Sequence, residues 1–103
     1  MKETDAQAAI CDYLALRKHL FWRANNVPVF DQARGGYRAL PKYTMHGLPD
    51  IMVIKDGFFI ALEVKTEKGR QSEAQKKFAR LCKEHGGEYY VVHNISEVQE
   101  IGL

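Results

Sequence analysis

The stretch that most constrains the fold runs from Leu48 to Thr66, where two β-rich segments, Ile51 to Ile54 and Phe58 to Val64, flank Lys55-Asp56-Gly57-Phe58. Asp-Gly between such segments is the strongest short-range signal for a two-residue type I′ hairpin turn. A turn of that length fixes the register. With Lys55 across from Phe58, Ile54 meets Phe59, Met52 meets Ala61, and Asp50 stands opposite Glu63. Directly opposed residues of an antiparallel pair hold their Cβ atoms roughly 4.5 to 5.5 Å apart on one face. The two-residue period then puts Lys65 on the Glu63 face and turns Leu62 and Val64 toward a core.

Two carboxylates directly opposed in a sheet repel each other, so the arrangement calls for compensation. A divalent cation supplies it. Oxygen ligands from Asp50 and Glu63, with water and substrate phosphate in the remaining positions, suit Mg²⁺. A main-chain carbonyl beside the acids, that of Val64, is the candidate third protein ligand. Lys65 next to such an ion is placed to orient or deprotonate an attacking water and to neutralise charge growing on a phosphoryl group. Each residue taken singly also fits a solvated strand face with Lys65 paired to Glu63. Their combination is what metal-assisted phosphodiester hydrolysis needs.

Pro49-Asp50, twelve intervening residues, then Glu63-Val64-Lys65 resembles the signature of the PD-(D/E)xK nuclease superfamily. More narrowly, Gly47-Leu48-Pro49-Asp50, the Glu-Val-Lys triplet, and Ser72-Glu73-Ala74-Gln75 followed by Phe78 and Gly86-Gly87 are similar to the VRR-NUC family, the virus-type replication-repair nucleases. Gln7, Ile10, Tyr13-Leu14 and Trp22-Arg23-Ala24-Asn25 resemble that family's opening, so the likeness spans nearly the whole chain. It implies one nuclease domain over residues 1–103 with a restriction-endonuclease-like α/β fold, a mixed β-sheet flanked by helices on an αβββαβ-type core. It also implies DNA as substrate and Mg²⁺ or Mn²⁺ as cofactor. Glu3 resembles the N-terminal acid that many members direct at the metal, and Gln75 the glutamine that lies near their active site.

A chain of 103 residues makes one domain, large enough to bury a core. Its 46% hydrophobic and 27% charged residues fit neither a disordered chain nor a membrane span. The charged start Met1-Lys2-Glu3-Thr4-Asp5 lacks a signal-peptide hydrophobic region, so the expected setting is the cytoplasm, of a bacterium or a virus-infected host cell. A formal net charge of +2 does not by itself announce a nucleic-acid binder; a phosphate-binding surface must come from local clustering. Cys11 and Cys82 lack CxxC or His/Cys spacing and read as reduced, near-core thiols.

Thr4-Asp5-Ala6-Gln7 matches a capping box, and Ala6, Ile10, Tyr13 and Leu14 recur at helical spacing, which predicts a first helix from about Asp5 to Leu20. Glu3 just before it either faces a metal or favours the helix dipole. The segment from Phe21 to Asn26 leads out of the helix, with Trp22 expected in the core and Arg23 a phosphate contact or a surface charge; Pro28 restricts a following strand to an edge. Between Asp31 and His46, basic and aromatic residues including Arg34, Tyr37, Arg38, Lys42 and Tyr43 interleave around Gly35-Gly36, as in a DNA-contacting loop or hairpin.

Ser72 to Gln75 is a second capping box, opening a helix from Glu73 to His85 that stops at Gly86-Gly87. Gln75 therefore has two available roles, in the cap or at the active site. Lys76, Arg80 and Lys83 make a basic stripe along the helix, either solvated or set against a phosphate backbone. Tyr89 to His93 reads as a buried strand, and Ser96 opens a short terminal helix. Strand, helix and strand from Phe58 to His93 form a βαβ unit with parallel strands.

The expectation is a Mg²⁺- or Mn²⁺-dependent deoxyribonuclease with Asp50, Glu63, Lys65 and Gln75 as catalytic candidates. Asp50, Glu63, Val64 and Glu3 are the metal candidates, and Arg23, Arg38, Lys76 and Arg80 the DNA contacts. Small standalone members of the family are similar to Holliday-junction resolvases, which implies a homodimer cutting four-way junctions, with a nickase or flap nuclease on branched or single-stranded DNA as the alternative. A non-catalytic nucleic-acid-binding module or a protein-interaction domain would be a different class.

Overall fold

The structure is a computed structural model and describes residues 2–24, 30–31, 35–37 and 41–103. In chain order the elements are α1 (Glu3–Leu16), β1 (Leu20–Arg23), β2 (Phe30–Asp31), β3 (Gly36–Tyr37), β4 (Ile51–Lys55), β5 (Phe58–Val64), α2 (Glu73–Glu84), β6 (Glu88–Val92) and α3 (Ile95–Glu100). Four strands form one mixed sheet in the order β1-β4-β5-β6, and β2 and β3 pair separately as a two-stranded ribbon. With that ribbon set aside as an insertion, the order is the αβββαβ core of a restriction-endonuclease-like fold.

The hairpin forms in the expected register, from Lys55↔Phe58 through Ile54↔Phe59 and Met52↔Ala61 to Ile51↔Leu62. Asp56 and Gly57 both take positive φ, 52° and 83°, as a type I′ turn requires. Strand alternation then sorts the sheet into two faces. Ile51, Val53, Ile60, Leu62, Val64 and Val92 pack with Ala6, Ile10 and Leu14 of α1 and with Val98 and Leu103 at the C-terminal end. The opposite face carries Ala61, Glu63 and Tyr89, and α2 lies over it, with Phe78 tilted against Tyr89 at 6.2 Å between ring centres. No residue of α2 is fully buried, and Leu20, Trp22 and Ile54 stay exposed.

Four expectations change. The first helix runs from Glu3 to Leu16 with Lys2 at its N-cap and no side-chain cap, so the Thr4–Gln7 capping box does not form. The helix also ends four residues early: Lys18 turns left-handed at φ 61°, and Leu20 starts β1, which pairs antiparallel with β4 from Leu20↔Ile54 to Arg23↔Ile51. Trp22 is 41% exposed on that strand rather than core. At the C-terminal end, α3 is capped by Asn94, whose side chain accepts from the Glu97 N–H, and not by Ser96. The parallel pairing of β5 with β6, Ile60↔Glu88 to Val64↔Val92, is as expected. Among the described residues no helix is long and apolar enough to cross a membrane.

Candidate active site

The site is built where β4 begins and β5 ends. One step beyond Ile51↔Leu62, the hairpin ladder brings Asp50 to Glu63. Two main-chain contacts hold Asp50 there: its carbonyl accepts from the Ala24 N–H at 3.0 Å, tying it to the end of β1, and its Oδ2 accepts from the Val64 N–H at 2.7 Å. The short strand β1 thus anchors the first acid of the site. Pro49, fully buried, sets the chain direction just before it.

Among the described residues Glu63 is the one buried carboxylic acid, 0% exposed. Its Oε1 accepts from Gln75 Nε2 at 2.9 Å and lies 3.5 Å from Lys65 Nζ. Its Oε2 is buried and has no hydrogen-bond partner among the described residues. Burial, and next the charge of Asp50, push its carboxyl up to about 8, with Lys65 pulling the other way. Once this carboxyl ionises, a buried oxygen without a donor is costly, of the order of 1 to 3 kcal/mol or more. An ion bound between the acids would meet that oxygen and remove the repulsion at once.

The Gln75 side chain reaches both the cap of α2 and Glu63 at the same time. Ser72 Oγ accepts from the Gln75 N–H at 3.1 Å, and Gln75 Oε1 accepts from the Ser72 N–H at 2.8 Å, closing the capping box of α2. The remaining amide group, Nε2, is the one that donates to Glu63. One side chain therefore starts the helix and orients the buried acid. Gly47 makes this approach possible. Its φ is +74°, and a Cβ there would lie 2.3 Å from the Ala74 carbonyl carbon and 2.6 Å from the Gln75 nitrogen.

Tyr89 belongs to this neighbourhood, and sequence reasoning assigned it only to a buried strand. Its hydroxyl accepts from Gln71 Nε2 at 3.1 Å, and burial, reinforced by the charge of Glu63, raises its phenol. Parallel pairing of Tyr89 with Ala61, two residues before Glu63, is the signal that locates it. Beyond Glu63, Lys65 opens into a cleft of about 490 Å³ shared with Thr66, Lys68, His93 and Asn94.

The remaining candidates scatter. Glu3 is half-buried at the first turn of α1. Among the described residues no three His, Cys, Asp or Glu side chains come together in a way that could hold one ion, so Glu3 does not join Asp50 and Glu63. Val64 stays at the site, its N–H donating to Asp50 Oδ2 at 2.7 Å. Arg23 is exposed and donates to Gln7 Oε1 at 2.9 Å, which is also what Gln7 does in place of capping. Lys76 is exposed and lies 3.5 Å from the exposed Glu73; Arg80 is exposed on the same helix. His46 lines a groove with Met45, Ala74 and Phe78. Arg34 and Arg38 lie outside the described residues. The ribbon Phe30↔Tyr37, Asp31↔Gly36 fits the hairpin form expected around Gly35-Gly36. Cys11 and Cys82 are free and half-buried.

Among the described residues the site clusters two carboxylates, hard oxygen donors, with no sulfur or imidazole beside them. That set fits Mg²⁺ or Mn²⁺, which complete their shells with water and phosphate oxygens. No curated protein matches the chain. A family model for the VRR-NUC domain matches residues 1–94. The chain belongs to that family and is a nuclease of the PD-(D/E)xK type.

Proposed function

We propose that this VRR-NUC protein is a divalent-metal-dependent endonuclease that hydrolyses phosphodiester bonds in DNA at the Asp50–Glu63–Lys65 centre. The observation that carries the reading is the buried Glu63 Oε2, beside Asp50 and without a hydrogen-bond partner among the described residues. Asp50 and Glu63, with the Val64 carbonyl, would hold the ion; when bound, Mg²⁺ or Mn²⁺ supplies Lewis-acid polarisation of the scissile phosphate and a more acidic water. Lys65 stands 3.5 Å from Glu63, where its ammonium orients the attacking water and offsets charge on the phosphoryl oxygens. Water oxygen bonds to phosphorus in line with the departing oxygen and gives up a proton to solvent, the P–O bond to the leaving group breaks, and that oxygen takes a proton from solvent. Gln75 keeps the Glu63 carboxylate aimed by its Nε2–H donor.

The substrate we propose is branched DNA, with a four-way junction first, cut symmetrically by a homodimer whose two-fold axis supplies the paired nicks. The single acid pair among the described residues, which would need a second copy to make two cuts, supports this reading. The exposed Lys76 and Arg80 of α2, with Arg23 and Arg38, are the proposed backbone contacts. The test is incubation with a labelled four-way junction, a flap and a linear duplex in Mg²⁺, Mn²⁺ or EDTA, with Asp50→Ala in parallel. Paired, metal-dependent cuts in the junction that vanish in the variant are expected. Selective cutting of the flap would replace the junction reading with flap or nick chemistry, and metal-dependent binding without cutting of any substrate would refute the enzyme.

A further inference from the structure

Past the ends of β5 and β6 the structure holds a second constellation that the hydrolytic step does not use. The Lys65 N–H donates to the Val92 carbonyl at 3.1 Å, the bond that would continue the parallel ladder by one residue. It sets His93 beside Lys65 just past the ends of the two strands, near Ala6 of α1. His93 is not loose there. Its Nδ1 lies 3.0 Å from Glu97 Oε1 and 3.1 Å from Oε2, and its own N–H donates to Oε2 at 3.3 Å. Glu97 in turn is placed by the cap of α3, its N–H donating to Asn94 Oδ1 at 2.9 Å.

A carboxylate only accepts, so the proton of the ring sits on Nδ1, and Nε2 is the nitrogen that Glu97 does not engage. His93 shares a cleft of about 490 Å³ with Lys65, Lys68, Thr66 and Asn94, with Ala6 of α1 as an apolar wall and Glu67 as the one carboxylic acid among the described lining residues; the Lys65 ammonium is already turned to Glu63, which leaves Lys68 as the cation for a ligand. The size is that of a small-ligand site. The donors outnumber the acceptors, which selects an anion. Directional donors gathered at the ends of β5 and β6 and on the turn that carries Lys68 suit phosphate oxygens better than a diffuse charge.

We propose that this cleft is a nucleotide-phosphate subsite of the nuclease, in which Lys68 and a Glu97-oriented His93 hold the phosphate next to the one being cut. The proposal rests on the nuclease reading of the Asp50–Glu63–Lys65 centre for its place in the reaction, while the subsite's own ligand chemistry stands apart from it. His93 and Lys68 touch the substrate; Glu97 is a positioning residue that acts through the ring of His93.

The experiment has two arms. In the first, the full chain without metal is titrated with thymidine 5′-monophosphate while the His93 ring and Lys68 side-chain resonances are followed by NMR. Saturable shifts at both are expected, with none from thymidine itself. Affinity should fall roughly tenfold in Lys68→Ala, the value of one charge-assisted hydrogen bond. It should fall similarly in Glu97→Ala, and be largely kept in Glu97→Gln, which still offers an acceptor to Nδ1–H. In the second arm, His93→Ala and Lys68→Ala should raise KM for DNA roughly tenfold with kcat within a few-fold, while Arg17→Ala on the far end of α1 changes neither. Nucleotide that perturbs neither resonance, or cleavage with KM unchanged in both variants, would overturn the subsite and leave the nuclease standing. Nucleotide binding at His93 by a protein that cuts no DNA would support the subsite and remove the nuclease reading instead.

Discussion

At the scale of single residues, Glu63 concentrates the physics of the site. Its carboxyl is raised from an ordinary 4.5 to about 8, so between those pH values the folded protein keeps a proton that the unfolded chain has released. Stability from this group is therefore fully present below pH 4.5 and is lost as pH rises through about 8. Thermal melts of metal-free protein should show Tm falling across that window, by an upper bound of roughly 5 kcal/mol in unfolding free energy. Glu63→Gln should flatten the profile and melt no lower than wild type at the alkaline end, because an amide keeps the Gln75 contact and carries no charge to bury. Added Mg²⁺ should raise the Tm of wild type and leave that of the variant unchanged. Gln75→Glu is the complementary probe: glutamate at this position still closes a capping box, but it sets a third carboxylate against Glu63. The variant should fold with α2 intact by circular dichroism and lose roughly 10- to 100-fold in cleavage rate. The opposed acids and Lys65 were legible in the sequence, because a two-residue turn makes register a matter of counting. The double duty of Gln75 was legible only as two alternatives, since sequence spacing does not show that Oε1 and Nε2 can serve different partners. Tyr89 was legible as buried but not as a neighbour of Glu63, because that depends on the parallel register of β5 with β6 across an intervening helix.

At the scale of elements, the site depends on how α2 meets the loop before β4. Gly47 has φ +74° and sits so close to Ala74 and Gln75 that a Cβ would overlap their backbone. Gly47→Ala should cost roughly 1 to 3 kcal/mol from the left-handed backbone alone. It should also push the first turn of α2 away from Glu63, so chemical denaturation and cleavage should both register the change. The elements the sequence misplaced were those with weak local signals. β1 is four residues long with mostly exposed side chains, and it exists because β4 offers an open edge; nothing in Leu20–Arg23 alternates strongly enough to announce it. Thr4 and Gln7 satisfied a capping pattern, yet Gln7 instead accepts from Arg23 across the β1 junction, a tertiary contact overriding a local one. The hairpin, α2 and β6 were legible because turn chemistry, amphipathic spacing and Gly86-Gly87 all agree there.

At the scale of the whole molecule, three layers divide the labour. One face of the sheet buries the apolar core against α1 and α3; the other carries the acids under a helix that is only half-buried. That asymmetry leaves the outer side of α2 to solvent, where Lys76, Arg80 and Lys83 are exposed. If the stripe follows a phosphate backbone, Lys76→Ala and Arg80→Ala should each reduce the slope of log affinity against log salt by about one, without altering preference among DNA structures. The α/β class and its mixed sheet could be read from the order of elements alone, whereas substrate shape and assembly depend on surfaces that no periodicity encodes. The most direct test of the central claim is cleavage of a labelled DNA substrate by wild type and Glu63→Gln, in Mg²⁺ and in EDTA, on protein whose fold is checked by its melt. Cutting that requires the metal and falls by roughly a hundredfold or more in a variant that melts as high as wild type is the predicted result. Equal cutting by the two proteins, or cutting in EDTA, would contradict it.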